Sequence, residues 1–198
     1  EEIAWRNPQT PVWVSIPYTP TPAEAENLES LVIWYIDGNN GRVSVPNGRY
    51  DAAAGEVRFK TTHLSQFAVA WHKVDFEDVL KNSWYAKAVA FISAREITLG
   101  TGPDTFSPEV RVTRGQFIVM LMRAYGLEAD ANTTDNFSDA GSTYYTHYLA
   151  AAKRLGIAKG VGNNLFAPDA EITRQEMMVM AYQALKAMDE LPDRKSVV

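Results

Sequence analysis

The sequence predicts an α+β chain: a small antiparallel β domain, sandwich-like, followed by two helix-loop-helix repeats. Three observations carry that prediction. The first 73 residues alternate apolar and polar side chains in short runs bounded by Gly, Pro, Asn and Asp, the pattern of half-buried strands. A stretch beginning at Ile97 returns in register at Ile157, the mark of a repeat architecture in which each unit buries its apolar face against a neighbour. Behind each copy a Thr opens a helical stripe of apolar residues.

In the β domain, Val12-Trp13-Val14-Ser15-Ile16-Pro17-Tyr18 alternates as a strand does, and Leu31 to Ile36 is a continuous apolar run suited to a buried strand. Asp37-Gly38-Asn39-Asn40-Gly41 is a turn by composition, and a short strand follows at Arg42 to Val45. Glu56 to Thr62 alternates cleanly, and Gln66 to His72 follows it. Thr19 to Glu29 is rich in Pro and Glu and predicts no more than a helical turn. Together these runs read as a sandwich or part of one. The domain boundary is expected near Lys73–Val74, giving a β domain over 1–73. No signal peptide is visible and Glu1 opens as if mid-sequence, so the chain reads as a fragment of a larger secreted protein. A truncation at Glu1 leaves an edge strand open.

The first copy of the repeated stretch runs from Ile97 through Gly100, Gly102, Phe106 and Pro108 to Thr113-Arg114-Gly115-Gln116. The second runs from Ile157 through Gly160, Gly162, Phe166 and Pro168 to Thr173-Arg174-Gln175-Glu176. Thr113 with Gln116, and Thr173 with Glu176, read as capping boxes. The stripes behind them are Phe117, Met120, Leu121, Ala124 and Tyr125, then Met177, Met180, Ala181, Ala184, Leu185 and Met188. Upstream, Phe76-Glu77-Asp78-Val79 with Trp84-Tyr85 matches Phe137-Ser138-Asp139-Ala140 with Tyr144-Tyr145. The apolar spacing after each aromatic pair predicts helices from about Ser83 to Arg95 and about Thr143 to Leu155. The acidic segment Glu128 to Asn136 connects the two repeats.

Capping leaves Arg114 and Arg174 unexplained. A cation at the first helical position faces the positive end of the helix dipole, so something anionic is expected to offset it. The internal candidates are Asp78 and Asp139; the external one is an anionic ligand held by helix amides and a guanidinium fork. Asp78 and Asp139 otherwise read as caps or as partners for Arg. Trp84, at a helix start, reads first as a core anchor and second as a platform for a sugar face.

Composition excludes several classes. The chain has 198 residues and no cysteine, which removes disulfides, thiolate metal sites and Cys nucleophiles together. Its net charge of −5, with no basic stretch, argues against nucleic acid as a partner. No apolar run reaches membrane-spanning length. His63, His72 and His147 lie far apart without metal-ligand spacing, and Gly100-x-Gly102 lacks a βαβ context, so no metal, cofactor or enzyme site is read.

The combined motif resembles the S-layer homology modules that anchor bacterial surface proteins to the cell wall. That family's pattern is Phe-x-Asp-Val, a Trp, Gly-Ile before a Gly-rich loop, Phe-x-Pro and a closing Thr-Arg-Ala-Glu. Phe76, Asp78, Val79, Trp84, Ile97, Gly100, Phe106, Pro108, Thr113 and Arg114 match in the first copy. Phe137, Asp139, Gly156, Ile157, Gly160, Phe166, Pro168, Thr173, Arg174 and Glu176 match in the second. Glu96 stands in place of Gly, Tyr144 in place of Trp, Gln116 in place of Glu and Ala140 in place of Val, so the first helix is expected to end differently at Glu96.

The resemblance implies modules over 74–130 and 131–190, with 191–198 a tail or linker. It implies a secreted protein of the Gram-positive cell surface or S-layer. It implies non-covalent binding of an anionic secondary cell-wall polysaccharide, often carrying pyruvate ketals. The ligand residues it points to are Arg114, Arg174, Trp84, Tyr144, Gly100, Gly160, Thr113, Thr173, Asp78 and Asp139. The family's usual three modules around a pseudo-threefold axis predict that the open face here is covered, by a dimer partner, a third module, the β domain or the tail. Two other readings stand beside this one. One is a protein–protein module that builds a surface lattice. The other is a self-cleaving β module, because His63-Leu64-Ser65 resembles the His-Leu-Thr/Ser core of GPS-type modules.

Overall fold

Alternating side chains in the N-terminal region pair into two three-stranded antiparallel sheets. The computed structural model describes residues 10–37 and 41–189. The centre of the turn expected at 38–40, the tail 191–198 and the start of the chain lie outside the described residues. The chain divides into two compact units, Glu1–Pro108 and Glu109–Val198, so the division falls inside the first repeat.

In the first unit, one sheet has the order β1-β5-β4, with β1 at Val12–Pro17, β4 at Arg49–Asp51 and β5 at Glu56–Thr61. The other has the order β3-β2-β6, with β2 at Leu31–Ile36, β3 at Arg42–Val45 and β6 at Gln66–Trp71. Register runs from Val12 opposite Thr61 to Pro17 opposite Glu56 in one sheet. In the other it runs from Leu31 opposite Trp71 to Ile36 opposite Gln66. Alternation then sends Val14, Ile16, Val57 and Phe59 to one face, where they share a core with Ile33, Val45, Phe67 and Val69. The expected helical turn is α1 (Pro22–Ala25), opened by a capping box of Thr21 and Glu24. A 3-10 turn at Leu28–Ser30 follows it.

The first unit also contains α2 (Ala86–Ala94), which packs on the Leu28–Ser30 turn. The second unit holds α3 (Arg114–Ala124), α4 (Thr146–Arg154) and α5 (Arg174–Ala187). Its core joins Ile118, Val119 and Met122 of α3 to Leu149, Ala151 and Ala152 of α4, Phe166 of the loop, and Met180 and Ala184 of α5. The connector is tied to α4, with His147 Nδ1 2.7 Å from the Asp130 carbonyl oxygen and Lys153 Nζ 2.7 Å from the Asp135 carboxylate.

Two expectations need correction. Helices α2 and α4 begin three residues later than the apolar spacing implied. Turns lead into them, with the Ala86 amide donating to the Ser83 carbonyl at 3.0 Å and the Thr146 amide to the Thr143 carbonyl at 3.2 Å. Glu96 does not change how the first helix ends. It takes the left-handed conformation at φ 58°, as Gly156 does at φ 71°. Ile97 and Ile157 then close their helices alike, on the Ile92 and Ala152 carbonyls at 3.0 and 2.9 Å. The Met177–Met188 stripe of α5 is packed: Met180 and Ala184 are buried and Met177, Ala181, Leu185 and Met188 half-buried. The open face belongs to Met178, Val179 and Tyr182.

Candidate functional site

Each Gly-rich loop is built by an aspartate two residues after a phenylalanine. Asp78 accepts the backbone amides of Phe106 at 2.8 Å and Ser107 at 2.7 Å. Asp139 accepts those of Phe166 at 2.8 Å and Ala167 at 2.7 Å. Those bonds, Phe106's foremost, hold the Asp78 carboxyl below its ordinary range. The rings follow, with Phe76 and Phe106 centroids 5.5 Å apart and Phe137 and Phe166 5.3 Å apart. Gly100 and Gly160 sit at φ 78° and 73° against these rings. A Cβ would lie 2.4 Å from the Thr105 carbonyl oxygen at Gly100 and 2.3 Å from that of Leu165 at Gly160, and 2.7 Å from the Phe ring in both, so no larger residue fits. Asp78 with Gly100, and Asp139 with Gly160, are thus brought together, and the aspartates serve the loop backbone rather than the arginines.

Thr113 and Thr173 are the caps the sequence predicts. Thr113 accepts the Gln116 amide at 3.2 Å while Gln116 Oε1 accepts the Thr113 amide at 2.9 Å. Thr173 accepts the Glu176 amide at 3.2 Å, and Glu176 Oε2 accepts the Thr173 amide at 2.8 Å.

The two arginines differ. Arg114 does not present an open fork: it is 4% exposed, Nε donates to the Phe166 carbonyl at 2.8 Å, Nη1 pairs with Glu176, and the guanidinium lies 4.6 Å above the Phe166 ring. Its internal carboxylate is Glu176, not Asp78 or Asp139. The Thr173 amide, then the Thr173 hydroxyl and Arg114, hold the Glu176 carboxyl below its ordinary range. Arg174, at the same position of the second repeat, is exposed and has no partner among the described residues.

Trp84 is not a core anchor. It is 94% exposed and stands edge-on to Tyr85, centroids 5.6 Å apart. Tyr144, at the matching position, is 60% exposed and stands edge-on to Tyr145 at 5.2 Å. Tyr145 turns inward and its hydroxyl reaches Asp169 at 3.4 Å. Partial desolvation raises the Tyr144 phenol above its ordinary pKa, with Tyr145 and Asp169 adding to the rise and Arg123 opposing it. Arg123 donates to the Tyr148 hydroxyl at 3.2 Å, so the ring of Tyr144 lies in the field of a positioned guanidinium.

One residue escaped the sequence reading. Arg95, directly after α2, is buried and donates to the carbonyls of Gly48, Leu31, Glu29 and Phe91 at 2.7–3.1 Å. Burial first, then Arg49, pushes its pKa down to about 10, so it stays charged at neutral pH. It pins α2 to the β strands, helped by His72 Nδ1 at 2.7 Å from the Ala94 carbonyl oxygen. The signal lay in the repeat itself, because Arg95 stands where the second copy has Leu155. His63 packs edge-on to Tyr35 at 4.9 Å and stacks on Phe67 at 5.6 Å, and its amide and carbonyl both bond the Thr61 hydroxyl. Among the described residues no cluster of three metal-ligating side chains occurs, and no helix is long and apolar enough to cross a membrane.

Residues 75–118 and 136–178 each match the model of the S-layer homology domain. The chain is similar to an amylopullulanase of Thermoanaerobacterium thermosulfurigenes, 28% identical over 85% of this chain and 9% of that protein. It is similar to an endoglucanase of Bacillus sp. (strain KSM-635), 40% identical over 58% of this chain and 12% of that protein. It is also similar to the S-layer protein sap of Bacillus anthracis, 27% identical over 56% of this chain and 14% of that protein. The chain thus spans about a tenth of the length of these relatives. Both matched segments coincide with the loop, cap and helix just described, and together with the S-layer and cell-surface relatives they make this a secreted protein of the cell surface and wall.

Proposed function

We propose that the chain anchors a surface protein to the cell wall by gripping an anionic, pyruvate-bearing wall polysaccharide without a covalent bond. In this reading 74–130 and 131–190 are helix-loop-helix modules and the two N-terminal sheets form a small sandwich. The observation that carries it is the pair of exposed rings at matching positions, Trp84 and Tyr144. Two large aromatics held in solvent at the same place in each repeat are costly without a ligand, and a sugar face stacks on such rings. Arg123, next to Tyr144, supplies the positive charge for a ketal carboxylate, and the neutral phenol of Tyr144 does not repel it. Arg114, already paired, acts by holding the Phe166 loop in place.

Purified cell-wall sacculi test the reading. The chain is expected to sediment with sacculi and to stay in solution once the polysaccharide is chemically removed. Trp84→Ala and Tyr144→Ala are expected to weaken sedimentation while leaving the melting temperature unchanged. Retention that survives removal of the polysaccharide overturns the carbohydrate reading in favour of protein–protein assembly.

A further inference from the structure

The sheet β1-β5-β4 turns Val14, Ile16, Tyr50, Val57 and Phe59 to its core side. Alternation sends Trp13, Arg49, Arg58 and Lys60 to the other side, with Asp51 and Glu56 at one end of it. Register fixes who faces whom: Trp13 lies opposite Lys60, and Arg49 lies opposite Arg58. Like charges directly opposite on one face repel, so this pair weakens the sheet that holds it. The carboxylates of the face do not offset it. Glu56 takes the Arg58 Nε at 3.4 Å and the Ser15 hydroxyl at 3.0 Å, and Asp51 accepts the Ala53 and Ala54 amides of its own turn. Arg49 is exposed and has no carboxylate partner among the described residues. The two guanidinia turn apart: Arg49 lies 4.4 Å above the Phe91 ring, and Arg58 lies 5.3 Å from the Trp13 centroid. Lys60 Nζ is also 5.3 Å from that centroid, and Trp13 is nonetheless 59% exposed. Both cations reach the ring from β5, while β1 is the outer strand, so among the described residues no strand borders the ring on its far side.

We propose that this sheet face binds an acidic polysaccharide laid across the strands, with one sugar on Trp13 and an acid group between Arg58 and Arg49. Charge complementarity selects the acid group. An anion between the two guanidinia converts their repulsion into two charge-assisted contacts, which no carboxylate of the face supplies. The ring selects the sugar. A flat strand face offers no groove for apolar side chains, whereas a sugar stacks on an exposed indole. Strand spacing puts β1 and β4 roughly 10 Å apart, so the ring and the acid group fall on neighbouring units of one polymer rather than on a single sugar. Cation–π attraction already holds Arg58 and Lys60 against Trp13, so little freedom is lost when the ligand arrives. The net charge of −5 repels a polyanion as dense as nucleic acid from most of the surface. This site lies outside both segments that match the S-layer homology domain and uses neither Trp84 nor Tyr144, so it goes beyond the wall-binding reading.

The test uses the full chain labelled with nitrogen-15. The probe is a tetramer of galacturonic acid, and the galactose tetramer is its neutral counterpart. The readout is the Trp13 indole N–H resonance, identified by its loss in Trp13→Phe. The uronate tetramer is expected to shift that resonance saturably, and the neutral tetramer to leave it nearly in place. Arg49→Gln and Arg58→Gln are each expected to raise the half-saturating concentration about fivefold or more. Amide spectra that keep the parent's dispersion show both variants folded. High salt is expected to weaken the shift in the parent, a measurement that needs no substitution. Trp84→Ala combined with Tyr144→Ala is expected to leave the shift unchanged, so failure here is read separately from failure of the wall-binding reading. A Trp13 resonance that stays in place with the uronate tetramer overturns the proposal. An equal shift with inorganic sulfate overturns it in favour of a plain anion site, and an equal shift with a glutamate hexamer in favour of an acidic peptide.

Discussion

The two repeats share the aspartate bonds and capping boxes that close their loops and differ most where a repeat meets something else. Asp78 and Asp139 take equivalent pairs of amides at 2.7–2.8 Å, and the capping boxes of Thr113 and Thr173 match. At the end of the first helix, Ser93, Ala94 and Arg95 are buried against the β strands of the first unit. The matching Lys153, Arg154 and Leu155 lie half-buried or exposed in the second unit, and Arg154 pairs with Asp130 of the connector. In the loop, Thr101, Thr105 and Ser107 of the first copy are Val161, Leu165 and Ala167 in the second, and Thr101 and Ser107 share a hydroxyl bond at 2.6 Å. Positions that define the repeat are kept because they satisfy their own backbone. The rest are free to specialise, and the specialised ones report what surrounds each copy.

The largest expected effect breaks this contrast at Arg95. Arg95→Ala strands the Gly48, Leu31 and Glu29 carbonyls in a buried site and removes a stacked guanidinium from above Phe91. Loss of several charge-assisted bonds at once costs about 3–5 kcal/mol. Leu155→Ala in the second copy costs less, about 1 kcal/mol, since that side chain is 40% exposed and makes no hydrogen bond. Chemical denaturation of both variants checks the asymmetry; equal losses would mean that Arg95 is not the clamp. The next largest effect is at the paired arginines. Arg114→Ala leaves Glu176 without its cation and opens a gap over Phe166, for about 2–3 kcal/mol after allowing for the partial exposure of Glu176. Arg174→Ala costs within about 0.5 kcal/mol. Melting curves on the two single variants decide it.

How far the sequence could be read follows the range of the interaction. The capping boxes span three residues and were legible, as were five strands whose signal is local, an unbroken apolar run at Leu31–Ile36 among them. Strand β4, three residues long with one apolar side chain, gives no periodic signal. Trp84 was misread because an aromatic at a helix start has the same local pattern whether it points inward or outward. Only the packing of Tyr85 beside it decides which ring faces the solvent. Arg114 was correctly expected to need an anion, from the helix dipole alone, but its carboxylate is 62 residues away and no local rule selects Glu176 over Asp139. Arg95 was visible only as a departure from the repeat, and its four acceptors are carbonyls, which sequence does not distinguish.

Acid sharpens the comparison of the loops. The Phe106 and Ser107 amides hold the Asp78 carboxyl below its unfolded value of about 3.9. A depressed acid contributes stability that is present in full above the unfolded pKa and lost as pH falls through the folded one. The first loop is therefore expected to loosen below about pH 4. Asp78→Asn keeps one acceptor and loses the other, so it is expected to lower the melting temperature at pH 7 and to flatten its fall at low pH. Amide exchange at Phe106 and Ser107, followed between pH 3 and 6 after correction for intrinsic rates, reads the effect locally. Unchanged protection across that range in the native chain would show that the carboxylate does not hold the loop.

The smallest effect tests whether the repeats tolerate strain where they differ by one residue. Glu96 and Gly156 both sit in the left-handed region, and both let the next amide close the helix behind them. A side chain there costs roughly 1 kcal/mol relative to glycine. In the first copy an exposed ion pair between Glu96 and Arg42, at 3.3 Å, offsets part of that, and such pairs contribute less than about 1 kcal/mol. Glu96→Gly is thus expected to stabilise the chain slightly, by about 0.5 kcal/mol, and the gain is expected to grow in high salt, which screens the pair in the parent but not in the variant. Gly156→Ala is expected to destabilise by about 1 kcal/mol through backbone strain alone, because nothing lies within 4 Å of the added Cβ. Denaturation midpoints in low and high salt compare the two directly. A Glu96→Gly variant less stable than its parent even at high salt would mean that the Glu96 side chain holds α2 in place by more than its charge.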